Sequence, residues 1–212
     1  MSIFYHNGII MKITLWNGSD DMPLPKEKRI YTYADYLSWS EDDRVEIIDG
    51  APYLQAASSR IHQETLSELH RQIANFLVDK TCKVYPAPFH VVLSLEEESE
   101  NELDRRNIFD PDITIVCDRA KLDDRGCKGS PDMVIEIISP SIARKDKVEK
   151  FNKYEQAGVK EYWVVEPHEK IVSVFIFQKN LRYGRPPDMY TEVDDVKVSI
   201  FDEISLSLGL FA

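Results

Sequence analysis

Apolar and polar positions along this 212-residue chain change period several times, and each change marks an element. From Ser59 to about Val78, Leu66, Leu69, Ile73, Phe76 and Leu77 recur at helical spacing and predict the first long helix. Upstream, Thr32-Tyr33-Ala34-Asp35 is a capping box that opens a short helix to about Trp39. Val45–Ile48 and Pro52–Gln55 flank Asp49-Gly50, a strong tight-turn signal, and read as a hairpin. Beyond the long helix, Lys83–Tyr85 and Phe89–Leu95 read as strands. An acidic loop, a strand at Asp112–Val116, a glycine-containing loop and a buried strand at Met133–Ile138 follow. Ser139-Pro140 then starts a helix that runs to about Ala157 and stops at Gly158. Glu161–Val165 and Ile171–Phe177 are strands, and Tyr190–Val193 with Lys197–Phe201 read as a further strand pair. Residues 1–30 carry little pattern beyond a short strand at Met11–Trp16, so they read as an N-terminal extension to one domain over residues 31–212. The order predicts an α+β or mixed α/β domain around one central sheet flanked by helices, with extra C-terminal strands.

Charge narrows the picture. Lys and Arg number 26 against 37 Asp and Glu, a formal net charge of −11. This speaks against broad, non-specific binding to nucleic acid, which wants a basic surface, but leaves room for a local basic groove. Arg144–Lys160 carries six basic and three acidic residues. Cys82, Cys117 and Cys127 are odd in number and form no Cys-x-x-Cys, so neither a disulfide framework nor a thiolate zinc site is expected. A reducing cytoplasm is the simplest compartment. The N-terminus lacks a basic region followed by a clean apolar one, and no stretch approaches the roughly 18 apolar residues of a membrane span. The chain has no Gly-x-x-x-x-Gly-Lys loop, His-Glu-x-x-His or Gly-x-Ser-x-Gly. A nucleotide-hydrolysing motor, a zincin and an α/β-hydrolase therefore lose support.

The candidate chemistry starts at Glu136, the only charge in the apolar run Met133–Ile138. A carboxylate in a buried strand is costly unless a cation or metal pairs with it. Asp132 lies four residues earlier on the same strand, roughly 13 Å away at about 3.3 Å per residue, and cannot share a metal with Glu136. Asp112, opened by Pro111 on a neighbouring strand, can approach it as a cross-strand neighbour, so Pro131-Asp132 reads as a strand start. Two such carboxylates can make a divalent-metal site of oxygen ligands.

Pro-Asp, an interval and a glutamate on an adjacent strand resembles the PD-(D/E)XK nuclease superfamily. Around it, Arg44-Val45-Glu46-Ile47-Ile48-Asp49-Gly50, His62-Gln63, Pro131–Ser141 and Ala157-Gly158-Val159-Lys160-Glu161-Tyr162-Trp163 resemble one family within it, the Uma-two family of restriction-endonuclease-like proteins. The similarity covers about Tyr31 to Phe177. It implies a restriction-endonuclease-like core and Mg²⁺-dependent phosphodiester hydrolysis in DNA, with Mn²⁺ able to substitute, and a homodimer is natural for cutting two strands. The superfamily's usual lysine lies two residues after the glutamate, where this chain has Ile138. The next helix offers Lys147, Lys150 and Lys153; Lys150 is chosen because it matches a migrated lysine and because Asp146, Lys150 and Tyr154 share one helical face. The resemblance therefore implies Asp112 and Glu136 as metal ligands, Lys150 assisting the attacking water or neutralising the phosphate, and Glu46 completing the shell or orienting a ligand. His62 and Tyr154 are further candidates.

Each residue also has an ordinary structural reading. Glu136 can be a salt-bridged core carboxylate, Asp112 a turn cap, Glu46 an exposed hairpin charge, and Lys150 an i,i+4 partner of Asp146. His62 can be a half-buried helix-terminal residue, Tyr154 packing, Arg144 and Lys145 a solvated helix face, and Trp163 core. Ile138 and the net charge motivate a second function, a nuclease-fold module that binds nucleic acid or a protein without cutting. A third is hydrolysis of a small phosphodiester.

Overall fold

The computed structural model describes residues 29–39, 44–55, 57–95, 99–138, 143–201 and 203–208, with residues 143–147 described by backbone alone. The strand expected at Met11–Trp16, the N-terminal extension up to residue 28 and the helix start expected at Ser139-Pro140 lie outside the described residues. In chain order the elements are α1 (Tyr33–Tyr36), β1 (Val45–Ile48), β2 (Ala51–Leu54), α2 (Arg60–Phe76), β3 (Lys83–Pro86), β4 (His90–Val92), β5 (Ile108–Phe109), β6 (Ile113–Val116), β7 (Gly126–Lys128), β8 (Met133–Ile137), α3 (Ala143–Ala157), β9 (Glu161–Glu166), β10 (Ile171–Ile176), β11 (Asp188–Thr191), β12 (Asp195–Lys197) and β13 (Ser205–Ser207).

Local chemistry explains the elements that frame the site. Asp49 and Gly50 both have positive φ, 50° and 76°, as a tight two-residue turn between β1 and β2 requires. The side chain of Ser59 accepts a hydrogen bond from the N–H of His62 and starts α2. Gly158, at φ 74°, ends α3 without the penalty a Cβ would bring.

A six-stranded mixed sheet runs β11-β10-β9-β8-β6-β3. At its centre β8 pairs parallel with β9 and antiparallel with β6. A parallel neighbour needs a crossover, and α3 is that crossover. All five residues of β8 are buried, which is why its sequence is a continuous apolar run rather than an alternation. Met133, Ile135 and Ile137 face α2, packing with Leu69, Ile73, Leu77 and Trp163. Val134 faces the other way, with Tyr154, Tyr162 and Phe109. Alternation puts Glu136 on that second face, between the sheet and α3.

The structure corrects the sequence reading at three places. The strands form two larger sheets rather than one, because β2-β1-β5-β4-β7 make a separate five-stranded sheet. Strands β5 and β7, of two and three residues, were too short to show a period, and β7 occupies the loop expected to lack structure. At the C-terminus the two expected strands do not pair with each other. Strand β11 adds to β10 as an edge, whereas β12 pairs with β13.

The third correction concerns the cysteines. The antiparallel register Lys83↔Val116 sets Cys82 directly opposite Cys117, and the two form a disulfide. An odd cysteine count says nothing about which two meet across a sheet. The remaining thiol, Cys127, is buried, and burial pushes its pKa up to about 12. The disulfide closes a sequence separation of 35 residues. Cys82→Ser is expected to lower unfolding free energy by about 2–4 kcal/mol. Urea titrations with and without reductant test this, and coincident curves would contradict it. No helix among the described residues is long and apolar enough to cross a membrane.

Candidate active site

Five elements converge on one cavity of about 160 Å³ between the ends of the interior strands β6 and β8, the β1–β2 hairpin and α3. Strand β1 contributes Glu46, β8 contributes Glu136, the residue before β6 is Asp112, α2 contributes His62 and α3 contributes Lys150. The register Ile113↔Ile135, carried one step further, brings Asp112 across from Glu136. Asp112 Oδ2 accepts a hydrogen bond from the Ile137 N–H at 2.7 Å, which fixes the carboxylate against β8. His62 Nε2 stands 3.0 Å from its other oxygen, Oδ1. His62 Nδ1 is buried without a partner.

Lys150 joins the two glutamates. Its Nζ donates to Glu46 Oε1 at 2.9 Å and to Glu136 Oε1 at 3.0 Å. One turn later on α3, the Tyr154 hydroxyl donates to the same Glu136 oxygen at 2.8 Å. The Asp110 N–H donates to Glu46 Oε1 at 3.0 Å. The three side chains of the ion-pair cluster are nearly inaccessible, with Lys150 at 10% exposure, Glu46 at 6% and Glu136 at 7%. An ammonium from α3 thus reaches Glu136, while Ile138 supplies apolar cavity wall.

Burial dominates the electrostatics. It raises the Glu136 pKa to about 8, opposed by the Lys150 ammonium and the Tyr154 hydroxyl and reinforced by the charges of Glu46 and Asp112. Burial also works against a charged Lys150, but Glu136 and Glu46 outweigh it and hold the ammonium well above its ordinary pKa. Tyr154 is pushed well above its ordinary value, by burial first and by Glu136 next, so it remains a donor. Tyr154→Phe keeps the packing against Phe109 and Tyr162 and removes this one donor. The expected loss is about 1–3 kcal/mol. Guanidinium unfolding checks it, and an unchanged midpoint would show the hydroxyl to be dispensable.

The structure therefore brings Glu46, His62, Asp112, Glu136 and Lys150 to one cavity, with Tyr154 touching Glu136 from behind. Lys150 takes carboxylate partners from two strands, while the side chain of Asp146, its expected helical partner, lies outside the described residues, as do those of Arg144 and Lys145. Asp132 stands apart, as a strand start should. Its oxygens take the Cys117 N–H at 2.7 Å and Lys160 Nζ at 2.6 Å. Trp163 is fully buried in the core.

Sequence reasoning missed Asp110. It lines the cavity with its carboxyl pinned by the Phe89 N–H at 2.5 Å. Its pKa is raised, by burial first, with Glu46 adding and the Phe89 N–H, His90 and Arg44 opposing. The available signal is the run Asp110-Pro111-Asp112, in which the second aspartate fits the Pro-Asp pattern and masks the first.

A family model described as "Uma2: Putative restriction endonuclease" matches residues 33–208 and takes in every one of these side chains. The chain belongs to the Uma2 family. Among solved structures, this Uma2 chain matches one from Anabaena variabilis described as a "putative nuclease belonging to DUF820", with a TM-score of 0.67 and 18% identity. That match covers 85% of the Uma2 chain and 96% of the Anabaena one, and it shows a shared fold. A Synechocystis sp. protein named "Uncharacterized protein slr1290" is 25% identical over 138 residues, 64% of this chain and 66% of that one, just under two thirds of its length.

Proposed function

We propose that this Uma2 chain is a Mg²⁺-dependent endonuclease that hydrolyses phosphodiester bonds in DNA. The observation that carries the reading is the facing pair Asp112 and Glu136 with Lys150 Nζ 3.0 Å from Glu136, in a cavity open to solvent. Family membership and the shared fold support it.

The donor set suits Mg²⁺. Among the described residues no three His, Cys, Asp or Glu side chains form a group able to hold a metal ion by themselves. Zn²⁺ and Ca²⁺ favour fuller protein shells, whereas Mg²⁺ keeps several waters and is held by one or two carboxylates plus substrate phosphate. Asp112 and Glu136 would be those two carboxylates, and Mn²⁺ would serve in place of Mg²⁺. When bound, the ion would stabilise charge on the phosphate and lower the pKa of a coordinated water.

The remaining work falls to the chain itself. The Ile137 N–H holds Asp112 in place through Oδ2, and His62 steadies Oδ1. Lys150 and Tyr154 both occupy Glu136 Oε1, which leaves Oε2 as the oxygen for a ligand. Glu46 anchors the Lys150 ammonium next to Glu136, from where it would neutralise phosphate charge or orient water. A homodimer would supply two such cavities for two strands.

The second reading, a binding module that does not cut, is favoured by the same ion-pair cluster. Lys150 already has two carboxylate partners, and the chain carries −11. The test is incubation of the purified protein with supercoiled and single-stranded DNA in Mg²⁺ or Mn²⁺, beside an EDTA control, Asp112→Asn and a small model diester. Nicking that needs metal and Asp112 is the expected result. Hydrolysis of the small diester with DNA left intact would replace the DNA reading, and inactivity on every substrate would favour the binding module.

A further inference from the structure

The open end of the β1–β2 hairpin carries two polar side chains that the proposed chemistry does not use. Arg44 precedes β1 and Gln55 follows β2, and the register Val45↔Leu54 continues to them through the Gln55 N–H donating to the Arg44 carbonyl at 2.9 Å. Both line the cavity that contains Asp112 and Glu136. Arg44, just before β1, and Glu46, on β1, are two residues apart in extended backbone, so they project to the same side, roughly 6–7 Å from each other. Whereas Lys150 is held between two glutamates, Arg44 is exposed and forms no direct ion pair among the described residues, its charge acting on Asp110 in the same cavity.

Gln55 is fixed on one side and unsatisfied on the other. Its Nε2 donates to the Asp110 carbonyl at 3.2 Å, which settles which end of the amide is nitrogen. Its Oε1 is buried with no donor. A buried acceptor of this kind calls for a partner. The cavity is also strongly acidic, lined by Glu46, Asp110, Asp112 and Glu136 against the cations Arg44 and Lys150. An incoming phosphate strand needs a cation at the mouth that is not already consumed by the protein.

We infer that Arg44 and Gln55 form a subsite for the nucleotide next to the scissile phosphate, Arg44 taking a backbone phosphate oxygen and Gln55 Oε1 accepting a hydrogen bond from a base N–H. The subsite rests on the reading of the cavity as a phosphodiesterase site for DNA. It makes the two side chains separable, because a phosphate contact releases a counterion and a neutral hydrogen bond does not.

The test is fluorescence-anisotropy titration of labelled duplex and single-stranded oligonucleotides with the full chain carrying Glu136→Gln, in Ca²⁺ and over a series of KCl concentrations. Adding Arg44→Gln is expected to weaken binding evenly across sequences and to reduce the slope of log K against log salt by about 0.9 for duplex or about 0.7 for single strands. Arg44→Lys, which keeps the charge, is expected to restore the slope. Adding Gln55→Ala is expected to weaken binding by an amount that varies with sequence and to leave the slope unchanged. Affinity and slope indifferent to both substitutions, with wild type cutting DNA, would overturn the subsite and leave the nuclease reading standing. Arg44-dependent binding by a chain that never cuts would uphold the subsite and sink the nuclease reading. No binding and no cutting would remove both.

Discussion

Lys150→Ala is expected to abolish activity and to cost about 3–5 kcal/mol of stability, the penalty for stranding buried charge. The reason is its double engagement. Glu46 and Glu136 come from different sheets, and the Lys150 ammonium lies within 3.0 Å of both. Without it, Glu46 loses its ammonium partner and Glu136 one of the two donors on Oε1, and among the described residues the Tyr154 hydroxyl and the Asp110 N–H are the donors that remain, at side chains about 6–7% exposed. A lysine that merely paired along its own helix would contribute about 0.2–0.5 kcal/mol. Urea unfolding separates the two cases by roughly an order of magnitude, and a loss below about 1 kcal/mol would mean the cluster is solvated rather than buried. A double-mutant cycle with Glu46→Gln should recover part of the loss, since a neutral amide no longer needs the ammonium.

Glu136→Gln is expected to move activity and stability in opposite directions. Loss of a proposed metal ligand should lower the DNA cleavage rate on the order of 10³-fold, the equivalent of several kcal/mol of transition-state charge stabilisation. Stability follows from proton linkage. Glu136 has a pKa of about 8 in the folded chain against an ordinary 4.5. Between those values the folded state holds a proton that the unfolded state has released, so stability falls as pH rises through that window. Glutamine cannot ionise, and Lys150 keeps Glu46 as its partner. The metal-free variant should therefore be more stable than wild type at pH above about 8, with the gap closing toward about pH 5. Melting temperatures in EDTA across this range test the sign. A variant less stable at high pH would mean that Glu136 is ionised and well paired in the folded chain.

The parts of this molecule that were legible in sequence are those governed by local chemistry. The Thr32 capping box, the Asp49-Gly50 turn, the Ser59 cap and the Gly158 stop each depend on residues within a few positions of one another. The central strand was legible because burial on both faces removes polar residues from it, and that same uniformity made Glu136 conspicuous. Its pairing with Asp112 could be argued from strand spacing before any register was known. What was hidden depends on contacts distant in sequence. Strands β5 and β7 exist because neighbours supply their hydrogen bonds, not because their sequences show a period. Cys82 and Cys117 meet through a register that no residue count encodes. Lys150 was legible as a candidate, but its tie to Glu46, 104 residues away, was not. Asp110 was obscured by the aspartate two positions on, and the pairing of Arg44 with Gln55 emerges only once the hairpin is closed.

The central claim is that hydrolysis takes place at the Asp112–Glu136 pair and depends on a divalent metal. The most direct measurement is the rate of supercoiled-plasmid nicking against Mg²⁺ concentration for wild type and Glu136→Gln, each first shown by its melting transition to be folded. Wild type is expected to nick the plasmid in a saturable, EDTA-sensitive way, and the variant, melting at least as high at pH 8.5, at a rate on the order of 10³-fold lower. A folded Glu136→Gln protein that nicks the plasmid as fast as wild type would contradict the central claim.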